Sequence, residues 1–169
     1  MLKVDLSPLA AGARLRIDTR VPSTDPLWEG AGPDLMDGLA VHLEARQSGE
    51  DVLVRGTLGG EVGMVCRRCL DPVRVRFDEP VTLLYRPGAD PGAGREEIYT
   101  FGERAREIDL GPAIREHALL AVPEYGLCRE DCAGLCPHCG ANLNQARCDC
   151  AAEEMDERWA ALRRYRQDG

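Results

Sequence analysis

The sequence predicts an α+β protein in which a small antiparallel β-barrel or strongly bent sheet precedes one helix, a cysteine-rich zinc-binding segment and a C-terminal helix. Three observations lead to this prediction. Apolar and polar residues alternate through much of the first hundred positions, apolar residues recur twice at helical spacing after them, and six of the 8 cysteines lie between residues 127 and 150.

The chain length sets the scale of this architecture. A length of 169 residues with 44% hydrophobic content fits one compact core with a small appendage. We expect an antiparallel β domain with a helix at its end over 1–122. The cysteine-rich zinc segment, with a C-terminal helix packed on it, is expected over 123–169.

Period-two alternation locates the strands. The segments GLAVHLEARQ and DVLVRGTL each alternate apolar with polar residues, and SGED between them is typical of a hairpin turn. DPVRVRFDEPVTLLYRP alternates as well, with Pro80 marking a bulge or a change of strand. With ARLRID and EEIYTF added, we expect about five to seven short antiparallel strands with one solvated face.

Two segments show the spacing of amphipathic helices. After Asp109, a candidate N-cap, LGPAIREHALLAV spaces its apolar residues at helical intervals until Pro123 ends the pattern. Near the C-terminus, AAEEMDERWAALRRYRQ aligns Met155, Trp159 and Leu162, with acids in the first turn and arginines in the last. Both stripes indicate packing faces.

The cysteines form four pairs with the spacing of metal ligands. Zinc prefers four soft donors at tetrahedral corners, and a C-x-x-C turn presents two of them from one tight loop. In CPHCG, Pro137 stiffens the turn and Gly140 can take the positive φ required after the second ligand, while His138 serves as a spacer. Four pairs predict two structural zinc ions. The pairs are Cys66 with Cys69, Cys128 with Cys132, Cys136 with Cys139, and Cys148 with Cys150.

Two ways of combining these pairs remain open. Short loops cost least to close, which favours one site made of Cys136, Cys139, Cys148 and Cys150 and a second made of Cys66, Cys69, Cys128 and Cys132. The rival arrangement joins the two C-x-x-C turns in one site. In either case four thiolates leave no open coordination position, so the ion would hold structure and would not activate water.

Composition and missing motifs narrow the class of function. No run of about 18 apolar residues is present and charge appears within the first three positions, so we expect a cytoplasmic protein. A net charge of −8 argues against a protein that coats nucleic acid through a basic surface. The absence of a nucleophile elbow, Walker loop, G-x-G-x-x-G or H-E-x-x-H motif favours a non-enzymatic role without a small-molecule substrate.

Four arginines are candidates for local RNA contact. Arg67 and Arg68 would lie at the tip of the hairpin that holds the first thiol pair. Arg74 and Arg76 occupy the alternate positions of the next strand that face solvent. A metal-fixed arginine turn could bind phosphates with little loss of entropy. The alternative is ordinary cross-strand pairing with acids. The acidic candidates are Asp18, Glu44 and Asp78.

The order of these features resembles a known family. Strands carrying VCRRCLDPVRV lead to a Gly/Pro-rich acidic stretch, then IDLGPAIREHALLAVPEYGLC, then CAGLCPHCGANLN and a closing CDC. This order, from about Gly38 to Cys150, is similar to that of the YceD-like family, the large ribosomal RNA subunit accumulation proteins of bacteria and plastids.

The resemblance implies a non-enzymatic role in the synthesis, processing or stability of 23S rRNA in the bacterial cytoplasm. The implied partner is 23S rRNA or its precursor, or a large-subunit ribosomal protein. An acidic chain could instead act as an adaptor or chaperone for a basic ribosomal protein, with EEMDE and EEI as complementary acids. A thiol redox protein is the third hypothesis.

Overall fold

The computed structural model describes residues 2–30, 33–88, 98–150 and 158, and most of its regular structure is sheet. Along the chain the elements are β1 (Lys3–Asp5), α1 (Leu6–Ala10), β2 (Leu15–Val21), a 3₁₀ turn (Pro26–Trp28), β3 (Leu39–Ser48), β4 (Asp51–Val65), β5 (Pro72–Pro87), β6 (Ile98–Phe101), β7 (Glu107–Asp109) and α2 (Gly111–Ala121).

The main sheet has five strands in the order β2-β3-β4-β5-β6, and β1 pairs with β7 in a separate two-stranded sheet. Strands β2 to β5 are antiparallel neighbours, but β6 runs parallel to β5, contrary to the expectation. Of the two expected forms, a barrel or a strongly bent sheet, the barrel is wrong for the residues that the structure describes, because the sheet stays open. Closure requires the edge strands to pair. Here β6 has only 4 residues, and the strand that follows it pairs with β1.

The inward face of β3 forms the centre of the core, as its alternation predicts. Leu39, Val41, Leu43 and Ala45 are buried, whereas His42 on the opposite face is exposed. A shift of one residue in the pairing of β3 would turn all four apolar side chains towards solvent, so burial fixes the register.

Helix α2 covers the same core. Ile114 and Ala118 are buried, in the stripe that helical spacing predicts. The helix begins at Gly111, one residue later than an N-cap at Asp109 would give, yet the Asp109 carboxylate still accepts a hydrogen bond from the Gly111 N–H at 2.8 Å. The helix ends at Ala121, before Pro123, as predicted.

Two short helical turns are indicated in the sequence only by the residue that precedes each of them. An aspartate precedes each turn and accepts a hydrogen bond from the backbone N–H two residues later. Asp5 binds the N–H of Ser7 at 2.8 Å before α1, and Asp25 binds that of Leu27 at 2.9 Å before the 3₁₀ turn. Neither turn is long enough to show a helical period in the sequence.

Strand β5 continues through Pro80 with neither the predicted bulge nor the predicted change of strand. Its register with β4 is constant from the pair Val52 and Tyr85 to the pair Val65 and Pro72, with Pro80 opposite Thr57. A proline is tolerated where its nitrogen faces no partner strand. Since β6 pairs only with the end of β5 beyond this point, the side of β5 away from β4 has no strand partner there among the described residues.

The β4–β5 hairpin carries the first cysteine turn at its end. Val65 pairs with Pro72, so residues 66–71 form the connecting loop, where a hairpin tip is predicted. At the other end of β4, Ser48 pairs with Asp51 across the predicted SGED turn. Gly49 in that turn has a φ of 66°, a conformation that glycine adopts without steric cost.

The predicted C-terminal helix lies outside the described residues, apart from Arg158. The same holds for all of EEMDE and for the two glutamates of EEI. The domain boundary near residue 122 therefore stays a prediction. Among the residues that are described, no helix combines the length and apolar character needed to cross a membrane.

Gly56 and Gly63 of β4 form a matched pair for testing how closely the backbone of β3 approaches β4. A Cβ at Gly56 would lie 1.8 Å from the carbonyl oxygen of His42, whereas one at Gly63 would meet no atom within 4 Å. We expect Gly56→Ala to lower the free energy of unfolding by about 3 kcal/mol or more, because backbone must move to make room. Gly63→Ala should leave it unchanged or raise it by about 0.5 kcal/mol. Urea denaturation measures both, and equal midpoints would contradict the close approach.

Candidate metal centres

Four thiols converge at the tip of the β4–β5 hairpin. The Sγ atoms of Cys66, Cys69, Cys128 and Cys132 all lie within 4.8 Å of one another. Two separations are 3.8 Å, between Cys66 and Cys132, and 3.7 Å, between Cys69 and Cys128. A tetrahedral site with Zn–S bonds of about 2.3 Å has edges of about 3.8 Å. This set, called here the first cluster, therefore fits a tetrahedral thiolate site.

A second cluster lies entirely in the tail. The Sγ atoms of Cys136, Cys139, Cys148 and Cys150 also lie within 4.8 Å of one another. These are the two sets that loop closure favours, and the two C-x-x-C turns fall in different clusters. Both sets could hold a metal ion.

The two C-x-x-C turns have the same backbone hydrogen bonds. In the first turn, the N–H of Leu70 donates to the carbonyl of Cys66 at 2.9 Å, and the N–H of Cys66 donates to that of Asp71 at 2.8 Å. The second turn repeats both bonds at the same spacing and with the same lengths. Both turns also place a left-handed residue after the second cysteine, with φ of 62° at Leu70 and 72° at Gly140. Each turn thus presents its sulfurs from an equivalent backbone.

Backbone N–H groups favour ionisation of one thiol in each turn. The pKa of Cys66 is lowered to about 6, chiefly by the N–H of Cys69. That of Cys136 is also lowered to about 6, chiefly by the N–H of Cys139. These two thiols are thus ionised at neutral pH, and a thiolate is the form that could bind a metal.

Neighbouring sulfurs have the opposite effect on the remaining thiols. The pKa of Cys150 is raised to about 12, chiefly because its thiol hydrogen-bonds to Cys139. The pKa of Cys128 is raised through its hydrogen bond to Cys132. A thiol that donates to an adjacent sulfur keeps its proton, since a second negative charge at that distance is unfavourable. A divalent ion would remove this penalty.

Side chains of the GANLN segment connect the two clusters. The Asn144 amide donates to the sulfur of Cys132 at 3.3 Å, and the Asn142 amide donates to the Asp71 carboxylate at 2.9 Å. Asp71 also accepts a hydrogen bond from the thiol of Cys69 at 3.4 Å. Sequence reasoning missed these three positioning residues. The signal was available, because the two asparagines directly follow a C-x-x-C turn.

The four candidate RNA-binding arginines are placed unequally. Arg68 donates to the carbonyls of Glu130 and Cys132, both at 3.0 Å, and so fixes the tail against the hairpin. The guanidinium of Arg67 lies 3.9 Å from the centroid of the Tyr125 ring. Both residues therefore take part in holding the tip together.

The other two arginines pair with one acid. Arg74 and Arg76 contact the Glu61 carboxylate at 3.4 and 2.7 Å. The pKa of Glu61 is lowered, chiefly by the hydrogen bond from Arg76. Cross-strand pairing was the expected alternative for these arginines, but the acid is Glu61 on β4 and not Asp78. Glu44 instead pairs with Arg14 and Arg16, and Asp18 with His42.

A cavity of about 560 Å³ lies between β2 and α2. Asp25 and Asp109 line it, and each accepts a hydrogen bond from a backbone N–H at the start of a helical turn. Each carboxylate therefore caps the start of a helical segment. The cavity also contains Arg20, which donates to the carbonyl of Asp37 at 3.2 Å.

A known protein family matches the part of the chain that contains both clusters. The family described as "Large ribosomal RNA subunit accumulation protein YceD" matches residues 54–164, which include all eight cysteines. Uncharacterized proteins of Mycobacterium tuberculosis and Mycobacterium bovis are each 36% identical over 128 residues, covering 73% of this chain and 60% of theirs. The chain thus spans less than two thirds of the length of these relatives.

A plant protein is also similar over a shorter region. The Arabidopsis thaliana protein named "Large ribosomal RNA subunit accumulation protein YCED homolog 1, chloroplastic" is 36% identical over 72 residues, or 43% of this chain and 22% of that protein. No solved structure matches the chain.

Metal affinity should increase with pH. Thiols with a raised pKa, such as Cys128 and Cys150, keep their protons at neutral pH and must release them when an ion binds. Each displaced proton should raise the apparent affinity about tenfold per pH unit. Titration of the reduced protein with Co²⁺ at about pH 6.5 and about pH 8, followed by its visible absorption, measures this. An affinity that does not change with pH would contradict the prediction that Cys128 and Cys150 are protonated before an ion binds.

Proposed function

Because the chain belongs to the family of large ribosomal RNA subunit accumulation proteins YceD, we propose that it is a non-enzymatic ribosome biogenesis factor that promotes the accumulation of 23S rRNA in the cytoplasm. Two structural zinc ions, one in each cluster, hold the shape on which this role depends. The observation that supports this most directly is the arrangement of eight thiols into two sets of four, the first of which joins the tail to the β4–β5 hairpin.

The donor chemistry supports zinc. Four thiolates per site are typical of structural zinc, and a complete set of protein ligands leaves no position for water or substrate. The ions would stabilise the fold when bound. The chain itself supplies the orientation of the ligands, through backbone N–H groups that donate to sulfur and through Asn144.

Burial distinguishes the two sites. Cys66, Cys69 and Cys132 of the first cluster are buried, and only Cys128 is exposed. In the second cluster only Cys136 is buried, while Cys139 and Cys150 are exposed. The first site therefore contributes more to the folded core, and the second site organises an outer loop of the tail.

A second candidate function, an adaptor for a basic large-subunit ribosomal protein, is favoured by the engagement of the arginines. Arg68 is committed to two carbonyls, and Arg74 and Arg76 share the charge of Glu61. Because its net charge is −8, the chain attracts a cationic partner and repels an RNA backbone. Direct RNA contact through Arg67, Arg68, Arg74 and Arg76 stays a prediction.

Elemental analysis of the purified chain should find two zinc ions. We expect Cys136→Ser and Cys66→Ser each to leave about one ion, because the clusters share no ligand. Cys66→Ser should lower the melting temperature more, since its sulfur is fully buried at the hairpin tip. His138→Ala is the matched control, because His138 lies in a C-x-x-C turn without belonging to either cluster, and it should keep both ions. Pairwise disulfides without bound metal would exclude this arrangement.

Depletion of the chain in the organism that carries it should lower the ratio of 23S to 16S rRNA. The wild-type chain should restore the ratio, and Cys66→Ser should not, because the tail would no longer be fixed on the hairpin. RNA gel analysis of total rRNA measures the ratio. His138→Ala should restore it as well as wild type does. An unchanged ratio after depletion would refute the proposed role.

A further inference from the structure

Four arginines lie close together on the outer face of the main sheet, which is the face opposite the buried side chains of β3. In the strand register, Glu44 of β3 lies opposite Arg16 of β2 and Arg55 of β4, so these three residues form one row across adjacent strands. Arg46 is two residues further along β3 and is therefore on the same face. Arg14 precedes β2 and reaches this row through a contact with Glu44. We call Arg14, Arg16, Arg46 and Arg55 the arginine patch.

The arginine patch carries more positive charge than the sheet uses. The Glu44 carboxylate contacts the guanidinium groups of Arg14 and Arg16 at 3.2 and 3.9 Å. Arg46 and Arg55 are exposed, and neither forms an ion pair with any residue that the structure describes. Like charges on neighbouring strands disfavour a sheet, so these two arginines do not stabilise the fold through their charge. Four guanidinium groups around one carboxylate are instead suited to an anion from outside the chain.

The described acids that border the arginine patch do not neutralise it. Asp18 lies in the next row of the outer face, and Asp51 at the start of β4 is bound by Arg86 at 2.9 Å. Glu50 lies in the turn between β3 and β4. When these three acids and Glu44 are counted together with the patch and Arg86, there are five arginines and four carboxylates. The local charge is therefore positive, and it is most positive within the patch, where Glu44 is the one acid.

The acidic character of the whole chain acts at longer range than the arginine patch. With a net charge of −8, the chain repels an approaching polyanion. Mobile ions, however, screen exposed charges that are more than about 8 Å apart at physiological ionic strength. An anion in contact with the sheet therefore responds mainly to the arginine patch. We expect such binding to depend strongly on salt concentration.

The side chains of the outer face favour contact with phosphates and not with bases. A guanidinium presents a planar fork of donors that can bind two phosphate oxygens at once. The side chains of Arg14 and Arg16 are 68% and 80% exposed, so their donors are accessible to a ligand. The aromatic residues of the described strands all pack in or against the core, so none of them offers a base a stacking surface on the outer face. These residues are Phe77, Tyr85, Tyr99 and Phe101.

We propose that the arginine patch binds the phosphate backbone of a double-helical segment of large-subunit rRNA. This rests on the proposed role in large-subunit biogenesis, which makes that RNA the relevant polyanion. Double-helical RNA is recognised mostly through its shape and its backbone, so an arginine-bearing sheet face without a stacking surface is suited to it. Arg14, Arg16 and Arg46 precede residue 54, where the family match begins, whereas Arg55 lies within the match. The surface thus combines residues from both parts of the chain.

The test combines Arg46→Gln with Arg55→Gln in the full chain, because neither guanidinium forms an ion pair with another described residue. The probe is a fluorescently labelled double-helical fragment of 23S rRNA transcribed in vitro, and fluorescence anisotropy measures its binding. We expect saturable binding by the wild-type chain and an affinity at least about tenfold lower in the double variant. The slope of log affinity against log salt concentration should become less steep by about 0.7 to 0.9 for each lost phosphate contact.

The matched control combines Arg104→Gln with Arg106→Gln, which removes the same charge from another exposed part of the chain. Both residues lie in the connection between β6 and β7, where the carbonyl of Arg106 accepts a hydrogen bond from the N–H of Leu6 at the start of α1. This control should bind the RNA as the wild-type chain does. Both double variants should keep the metal content and the melting temperature of the wild-type chain.

Three results would overturn the proposal. The first is the absence of saturable binding by the wild-type chain, and the second is unchanged affinity when Arg46 and Arg55 are replaced. The third is an equal loss of affinity in the control, because a general effect of charge would then explain both losses. The proposed function is separable from these outcomes. If 23S rRNA falls on depletion but the variant of Arg46 and Arg55 restores it fully, the biogenesis role stands and the arginine patch is wrong. If depletion leaves 23S rRNA unchanged, the biogenesis role is refuted, and the anisotropy measurement still decides whether the patch binds RNA.

Discussion

The convergence of four sulfurs at the end of the β4–β5 hairpin is the constraint on which the arrangement of the tail depends. Cys66 and Cys132 are 66 residues apart in sequence, and their sulfurs lie 3.8 Å apart. Closing a loop of that length has an entropic cost, and placing four thiols together without an ion adds repulsion as they ionise. Apparent binding energies of structural zinc in small peptides, about 10–16 kcal/mol, are large enough to offset both. An ion bound in the first cluster would therefore couple metal binding to the folding of this region.

The hairpin gives the first cluster a firm base because its two strands are the longest in the protein and pair in constant register up to Val65 and Pro72. The tail then attaches at several points around the same turn. Arg68 binds two carbonyls of the tail, and the N–H of Leu135 donates to the carbonyl of Arg68 at 3.1 Å. The second cluster is fixed indirectly, through Asn142 and Asp71. The sheet, the turn and the tail therefore form one connected structure, in which loss of the first cluster removes more contacts than loss of the second.

The same attachments determine which contacts the arginines of the turn make. An arginine-rich turn beside a metal site is a reasonable candidate for phosphate binding when only the sequence is considered. In the folded chain, Arg68 serves the backbone of the tail and Arg67 lies on Tyr125. Leu70 of the same turn is held in the left-handed conformation that Gly140 adopts at the equivalent position of the second turn.

Much of the fold and of the metal centres could be predicted because the signals are local. Alternation within β3 specifies which side chains are buried, and the C-x-x-C spacing identifies the turns that present paired sulfurs. The open edges of the sheet, the parallel direction of β6 and the choice of Glu61 as the partner of Arg76 could not be predicted in this way. Those features depend on how elements far apart in sequence lie against one another.

The sequence by itself determined the faces of the strands, the helix after Asp109 and the grouping of thiols into pairs, since each follows from the periodicity of a single element or turn. Only the tertiary structure decided which pairs meet, how the GANLN asparagines link the clusters, and where the arginines and Leu70 lie. The physical reason is that loop-closure entropy ranks possible pairings by length, whereas the contact that forms is selected by packing of the whole chain.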